Sequence, residues 1–352
     1  MPIESLLSQK RKSVDKEIEN YFPKNPTESD LRKICGIPRY AYDLPSAKAA
    51  LHTPIWELLD RGGKRWRPAL FLMVAQAFGK KSQTLLELSI IPEVIHNGTL
   101  MADDIEDNSD FRSGKPTIHK IYGEDIAINA SSAMYYLPLL ALFKNKSKFP
   151  KSTVILAYEI YSQEMINLAY GQSFDILWHK GKNANVTEDQ YLQMCAFKTG
   201  TLARMAAKLG AVFAGASEKN VALAGRFAEA IGVAFQIQDD ILNLTAKEDY
   251  GKEIGGDISE GKRSLIIIRA LSKLDSIKRK RLLEILDSHT KDNFKIGEAI
   301  SLIRGTDALE YSSKRASKIV SEAWAEFSKV LKPTIAKKQL EQFAKYLIER
   351  KV

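Results

Sequence analysis

The sequence is poor in the features that mark a secreted, membrane-bound or disordered chain. It holds 2 cysteines, Cys35 and Cys195, in 352 residues, too few to staple a chain this long in place of a core. Long apolar runs are missing. The densest, Met134 to Phe143, covers ten residues and contains Pro138, about half of what a transmembrane helix needs. Lys10, Arg11 and Lys12 are followed by acids rather than by an apolar stretch, so no secretory leader is expected there. There is no Pro/Gly/Ser-rich linker, no low-complexity tract and no repeat of solenoid period. Strand signals are few, since Thr153–Ile155 and Leu265–Ile268 both lie inside longer helical patterns. What is present is 45% hydrophobic and 27% charged, the composition of a folded chain with a real core. A soluble protein of a reducing, cytoplasmic compartment is the expectation.

Net charge is +9, but residues 271–352 carry 18 basic and 11 acidic side chains, so +7 of it sits in the last 82 positions. The rest of the chain is nearly neutral. The basic tail has no aromatic interleaving and no nucleic-acid motif, so a solvated surface is expected and no nucleic-acid partner.

Helical periodicity dominates. Leu85, Leu86, Leu88, Ile91, Val94 and Ile95 follow a 3.6-residue period that resumes at Leu100 and Met101. Thr187 with Gln190 reads as a capping box opening a helix. Ser217 precedes a segment, Val221 to Leu244, that is apolar nearly all round and therefore interior. The pattern predicts a single large all-α domain, a helical bundle, with residues 1–45 and their Pro23, Pro26, Pro38 and Pro45 as a looser lead-in.

Two acidic clusters carry the chemistry. Asp103-Asp104-Ile105-Glu106-Asp107 closes an apolar helix and gathers four carboxylates in five residues. Asp103 and Asp107 stand one turn apart and repel unless something compensates. Gln236-Ile237-Gln238-Asp239-Asp240-Ile241-Leu242-Asn243 repeats the design on the most apolar helix of all. Oxygen ligands without nearby His or Cys suit Mg²⁺ or Mn²⁺ rather than zinc. The cations lie elsewhere. Arg61-Gly62-Gly63-Lys64-Arg65-Trp66-Arg67-Pro68 places four of them around a glycine pair, Arg112 and Lys115 follow the first acidic cluster, and Lys252, Lys262 and Arg263 follow the second. Acids, separate cations and apolar walls together suit a metal-bound diphosphate with a hydrocarbon tail.

On these residues the chain resembles the trans-isoprenyl diphosphate synthases, the polyprenyl synthetase family, from about Trp56 to Lys262. Five ordered motifs carry the resemblance: Gly62 to Pro68, Asp103-Asp104 with Asp107, Gly171-Gln172, Lys198-Thr199, and Phe235-Gln236 with Asp239, Asp240 and Asn243. The wording around the first aspartates and Asn243 are most like geranylgeranyl diphosphate synthases. The resemblance implies an all-α isoprenoid-synthase bundle with a central apolar cavity. It also implies a Mg²⁺-dependent condensation of isopentenyl diphosphate with an allylic diphosphate. Asp103, Asp107 and Asp239 would hold the metal, three ions in all with Mn²⁺ as a substitute, and Asp104 and Asp240 would support them. Arg112, Lys198, Lys252 and Lys262 would contact diphosphate. Lys64, Arg67 and His96 would bind isopentenyl diphosphate, while Thr199 and Gln236 would line the reaction centre. Members of the family are typically homodimers.

One departure is visible. The family usually has two adjacent arginines after the first motif, and here they are Arg112 and Ser113. A raised KM for isopentenyl diphosphate is expected, unless a cation such as Lys115 compensates. Product length depends on what fills the space below Asp103, where one helical turn matches about one isoprene unit. Gly98 and Thr99 are small, and Tyr135 and Tyr136 on the next helix offer a floor. The expected product is C20, geranylgeranyl diphosphate. The alternatives are C25 or longer, farnesyl diphosphate, or a poorly active partner subunit of a heteromeric synthase.

Overall fold

The computed structural model describes residues 3–182, 185–245 and 255–348, whose regular structure is helical apart from one short hairpin. The chain divides into two compact units. The first comprises Met1–Glu159, Ala206–Ser217 and Thr334–Ala336, and the second Ile160–Met205, Glu218–Pro333 and Lys337–Val352.

In the first unit the principal helices are α1 (Ile3–Tyr21), α2 (Thr53–Leu59), α3 (Trp66–Ala77) and α4 (Ile91–Glu106). A hairpin of β1 (Phe111–Arg112) and β2 (Lys115–Pro116) follows, then α5 (Ile118–Tyr122) and α6 (Glu124–Tyr136). The expected loose lead-in is instead a packed helix. Leu7, Val14, Ile18 and Tyr21 recur on one face of α1, and Val14 is fully buried. Pro23, Pro26 and Pro38 fall in connections after α1, and Pro45 in the first turn of the short helix Leu44–Ala47. The apolar period from Leu85 is also interrupted: the chain turns at Ile90 and restarts as α4, with Pro92 in the first turn, where its missing N–H costs nothing.

Helix α3 is buried on every side, with Phe71, Met73 and Val74 fully enclosed. Each such side chain contributes about 1.5–3 kcal/mol of burial. The segment Glu124–Lys148 is long and apolar enough, by length and composition alone, to cross a membrane, with a mean hydropathy of 1.5. A turn at Leu137–Pro138 breaks it, and Ala130, Met134 and Leu142 are buried within the unit. One face of it packs into the unit, while Ile128, Tyr136 and Phe143 stay exposed.

Helices α7 (Lys151–Leu177) and α9 (Gly200–Phe213) each contribute to both units. The second unit contains α8 (Glu188–Lys198), the long α10 (Glu218–Thr245), then α11 (Leu265–Lys273), α12 (Ser276–Asp287), α13 (Asn293–Arg304) and α14 (Ala308–Phe327). The capping box at Thr187 and Gln190 opens α8 as the sequence predicts. Thr153–Ile155 and Leu265–Ile268, the β-branched runs, both lie in helices. Phe227 of α10 packs on Trp324 and Phe327 of α14, with both ring separations 5.2 Å. A second cluster gathers Leu244, Ile266, Leu282, Ile285, Ile296 and Ile303. Cations of the basic tail are spent on surface pairs such as Arg281–Glu298 and Lys314–Glu310.

Candidate active site

The acidic end of α4 sorts its carboxylates by depth. Asp104 is 1% exposed, Asp103 and Asp107 are half-buried, and Glu106 is exposed. A buried carboxylate is costly unless it is paired, and Arg112 supplies the pair. Its Nε lies 2.8 Å from both Asp104 oxygens and its Nη2 2.7 Å from Oδ1. Burial still pushes the Asp104 carboxyl above the usual range, against the pull of Arg112.

Arg112 stands on β1, and the hairpin explains how it reaches back. Ser113 (φ 52°) and Gly114 (φ 73°) form a turn with both central residues left-handed, the arrangement that suits the twist of a two-residue hairpin. Arg61 fastens it, donating to the carbonyls of Arg112 (3.1 Å) and Pro116 (2.7 Å). Lys115 pairs with Glu57 at 3.4 Å on the surface.

The basic run divides likewise. Arg65 adopts φ 47° at the start of α3 and is 4% exposed. It binds Asp15 (2.8 Å), Glu93 (3.1 Å) and the Leu59 carbonyl (2.8 Å). Arg61 and Arg65 are therefore structural ties. Arg67 lies over the Trp66 ring, 4.4 Å from its centroid, and Lys64 is exposed. Desolvation, followed by Arg67, Arg112 and Arg65, drives the His96 imidazole well below its ordinary pKa. The imidazole is thereby kept neutral beside these cations.

The positions proposed to set product length separate. A Cβ at Gly98 would meet Met134 Cβ at 2.9 Å and Tyr135 at 3.1 Å. The Ser131 hydroxyl donates to the Gly98 carbonyl at 2.9 Å. Close packing of α4 on α6 thus requires the glycine. Thr99 is half-buried and donates to the His96 carbonyl at 2.7 Å. Desolvation, with Asp103 and Glu106 nearby, raises the Tyr135 phenol. Tyr136 does not belong to a floor within this unit: it is 69% exposed. Neighbours on a helix point about 100° apart, so only one of the two tyrosines can face α4.

In the second unit Lys198 ends α8 and donates to Asp175 on α7 at 2.6 Å. Burial alone would raise Asp175, but Lys198 and Lys262 reverse it and hold the carboxyl below its ordinary value. Gly171 makes this approach possible, since a Cβ there would lie 2.4 Å from the Lys198 backbone nitrogen. Thr199 donates to Gln236 (2.8 Å), whose amide donates to Asp240 (2.9 Å), which also accepts from the Tyr191 hydroxyl (2.6 Å). Gly200 and Gly232 let the helices meet: a Cβ at Gly232 would be 2.5 Å from the Gly200 Cα.

Asp239 is half-buried, whereas Asp240 is 5% exposed. Burial first, then the charge of Asp257, pushes Asp240 up to about 8. Asn243 is engaged with residues 255–257. Its oxygen accepts from the Asp257 N–H at 3.2 Å and its carbonyl from Gly255 at 2.9 Å. Lys262 pairs with Glu260 at 2.6 Å and Asp257 at 3.6 Å, and the buried Arg263 bonds the Gly261 carbonyl and Asp287. Lys252 lies outside the described residues.

Sequence reasoning missed Asp175, Tyr191 and Asp257. Asp175 had a legible signal, one turn beyond Gly171 on the same helix face. Tyr191 and Asp257 had none, because only the fold brings them to Asp240. Among the described residues no three His, Cys, Asp or Glu side chains converge as a complete metal cage. Mg²⁺ takes one or two carboxylates and completes its shell with water and substrate phosphate. The half-buried, oxygen-only Asp103, Asp107 and Asp239 suit such a role.

Comparison with known proteins gives a consistent picture. A family model described as polyprenyl synthetase matches residues 48–303. The chain is 38% identical over 256 residues to a short chain isoprenyl diphosphate synthase of Methanocaldococcus jannaschii, covering 72% of this chain and 76% of that one. It is 31% identical to a geranylgeranyl diphosphate synthase of Sulfolobus acidocaldarius, over 86% of this chain and 91% of the relative. The crystal structure of geranylgeranyl pyrophosphate synthetase from Pyrococcus horikoshii superposes with a TM-score of 0.85 at 27% identity, covering 99% and 98% of the two chains.

Proposed function

The chain belongs to the polyprenyl synthetase family, and from that premise we propose that its product is the C20 geranylgeranyl diphosphate. It is a chain-elongating trans-prenyltransferase that joins isopentenyl diphosphate to an allylic diphosphate. The family model runs across the residues of both units, so we read the whole chain as one synthase domain. The observation that carries the site assignment is the sorting of the aspartates. In each unit the deeply buried member, Asp104 or Asp240, is engaged by protein partners. Asp103, Asp107 and Asp239 stay half-buried at helix ends.

Mg²⁺ is the family's cofactor, and on this reading Asp103, Asp107 and Asp239 hold it, as three ions, with Mn²⁺ able to replace it. Bound metal supplies the positive charge that lets the allylic C–O bond ionise. Arg112, Lys198 and Lys262 add fixed cations for the leaving diphosphate, which cost no reorganisation as charge develops, and Lys252 is read as a further contact to it. Lys64, Arg67 and the neutral His96 bind the diphosphate of isopentenyl diphosphate and orient its alkene. Thr199 and Gln236, already hydrogen-bonded to each other, place polar atoms at the reaction centre, and apolar walls keep water from the cation. Gly98, Thr99 and Tyr135 bound the growing tail. The exposed Ile128, Tyr136 and Phe143 support a homodimer, whose partner copy would cover them.

The test is incubation with Mg²⁺, isopentenyl diphosphate and each allylic primer, followed by product identification. A C20 product is expected. Farnesyl diphosphate alone from C5 substrates would overturn the chain-length assignment, and absence of condensation with every primer would favour a partner subunit.

A further inference from the structure

Lys198 and Thr199 stand at a break between two helices. Helix α8 ends at Lys198, Thr199 closes it by donating its N–H to the Cys195 carbonyl at 3.0 Å, and α9 begins at Gly200. Side chains at such a joint take their direction from the angle between the helices, and Gly200, packed on Gly232, has no side chain with which to hold that angle. Something else must fix it.

The neighbouring charges do. Glu164 of α7 and Thr201 of α9 are both 0% exposed and Arg204 is 7% exposed. The Thr201 hydroxyl donates to Glu164 Oε2 at 2.6 Å. Arg204 grips the same carboxylate, its Nε 2.8 Å from both oxygens and its Nη2 2.5 Å from Oε2. Its Nη1 reaches the other way, to Glu229 of α10 and, at 3.5 Å, to the Ala196 carbonyl in the last turn of α8. One guanidinium therefore ties α7, α8, α9 and α10 around the break. Apolar side chains would fill this space without the desolvation cost of buried ions. They would not fix direction, which a forked arginine–carboxylate contact does.

We propose that the buried Glu164–Thr201–Arg204 cluster is a positioning device for the reaction, setting the joint that aims Lys198 and Thr199 at the allylic diphosphate. None of the three touches substrate. The inference rests on the assignment of Lys198 to that diphosphate, so its test contains a control for that assignment.

Steady-state kinetics with each substrate varied in turn are measured for Lys198→Ala, Thr201→Val and Thr201→Ser. Lys198→Ala is expected to raise the KM for the allylic substrate and leave that for isopentenyl diphosphate within twofold. Thr201→Val keeps the shape of the side chain but loses the bond to Glu164. It should repeat the split in smaller form, with the allylic KM up about fivefold and kcat down about tenfold, the scale of a small misplacement. Thr201→Ser should restore both. A merely structural role would lower kcat through a smaller folded fraction and move neither KM. Should Thr201→Val fail to fold, Arg204→Lys, which keeps the charge and loses the fork, should show the same split. Wild-type-like values, or a fall in kcat with both KM values unchanged, overturn the positioning device. An unchanged allylic KM in Lys198→Ala overturns the assignment beneath it.

Discussion

The two acidic helix ends look alike in sequence and are held in opposite ways. At the end of α4 the buried Asp104 is answered by a full positive charge, the guanidinium of Arg112 on a two-residue hairpin. At the end of α10 the buried Asp240 is answered by neutral donors, the Tyr191 phenol and the Gln236 amide. Even with a charge as its answer, burial leaves the Asp104 carboxyl above its ordinary range, and Arg112 limits that rise. Burial and the charge of Asp257 outweigh those donors and the more distant pull of Lys262, and Asp240 is pushed up to about 8. One aspartate-rich pattern thus yields one cluster with a fixed countercharge in direct contact and one held mainly by neutral donors.

The bluntest way to break the comparison is to remove the half-buried member on each side. Asp103→Ala and Asp239→Ala should each lower kcat/KM about a thousandfold, on the scale of losing a group that stabilises developing charge. Metal titration of each variant checks the cause, since extra Mg²⁺ should not restore the rate. If either variant kept a tenth of the activity, the two clusters would not be functional equals.

Stability separates them more finely. Arg112→Met leaves Asp104 buried without its partner and should cost about 3 kcal/mol in urea unfolding. Tyr191→Phe removes a single neutral donor and should cost about 1 kcal/mol. Equal losses would erase the distinction between charge and dipole compensation.

The pH dependence of the metal-free chain follows with its sign. Asp240 has a folded pKa raised above that of the unfolded chain, so its folded form holds a proton that the unfolded form releases near pH 4. Its stabilising contribution is complete below about pH 4 and fades as pH rises through about 8. Melting curves in a chelator between pH 5 and 9 should therefore slope downward with pH. Asp240→Asn, which cannot titrate, should flatten the slope, and an unaltered slope would show that Asp240 does not carry it.

Much of this was legible in the sequence because it is local. The apolar period of α10, the capping box at Thr187 and the two aspartate runs sit on contiguous residues, where spacing determines which side chains share a face. The helix break at Ile90 was hidden because Pro92 is compatible with a first turn as well as with a kink. The packing of α1 was masked by the prolines that follow it. The partners that decide ionisation were hidden for a different reason: Tyr191 meets Asp240 across 49 residues of chain, and no spacing rule reaches that far. The run from Arg61 to Arg67 shows the same limit. Four cations suggested one anion site, yet Arg65 is consumed by Asp15 and Glu93 and Arg61 by the hairpin.

The smallest effect concerns that hairpin, which only the first cluster possesses. Ser113 is exposed at its tip with φ 52°, a conformation that costs a non-glycine residue about 1 kcal/mol. Ser113→Gly should relieve that strain and stabilise the chain by roughly 0.5–1 kcal/mol without moving any KM. Ser113→Arg keeps the strain and adds the cation usual in the family. An exposed charge contact is worth about 0.5–1 kcal/mol, so the KM for isopentenyl diphosphate should fall two- to fivefold while the allylic KM holds. The pair of variants separates backbone from charge. If Ser113→Arg left that KM unchanged, the first cluster would already have all the positive charge it uses, and the weakened-site expectation would be wrong.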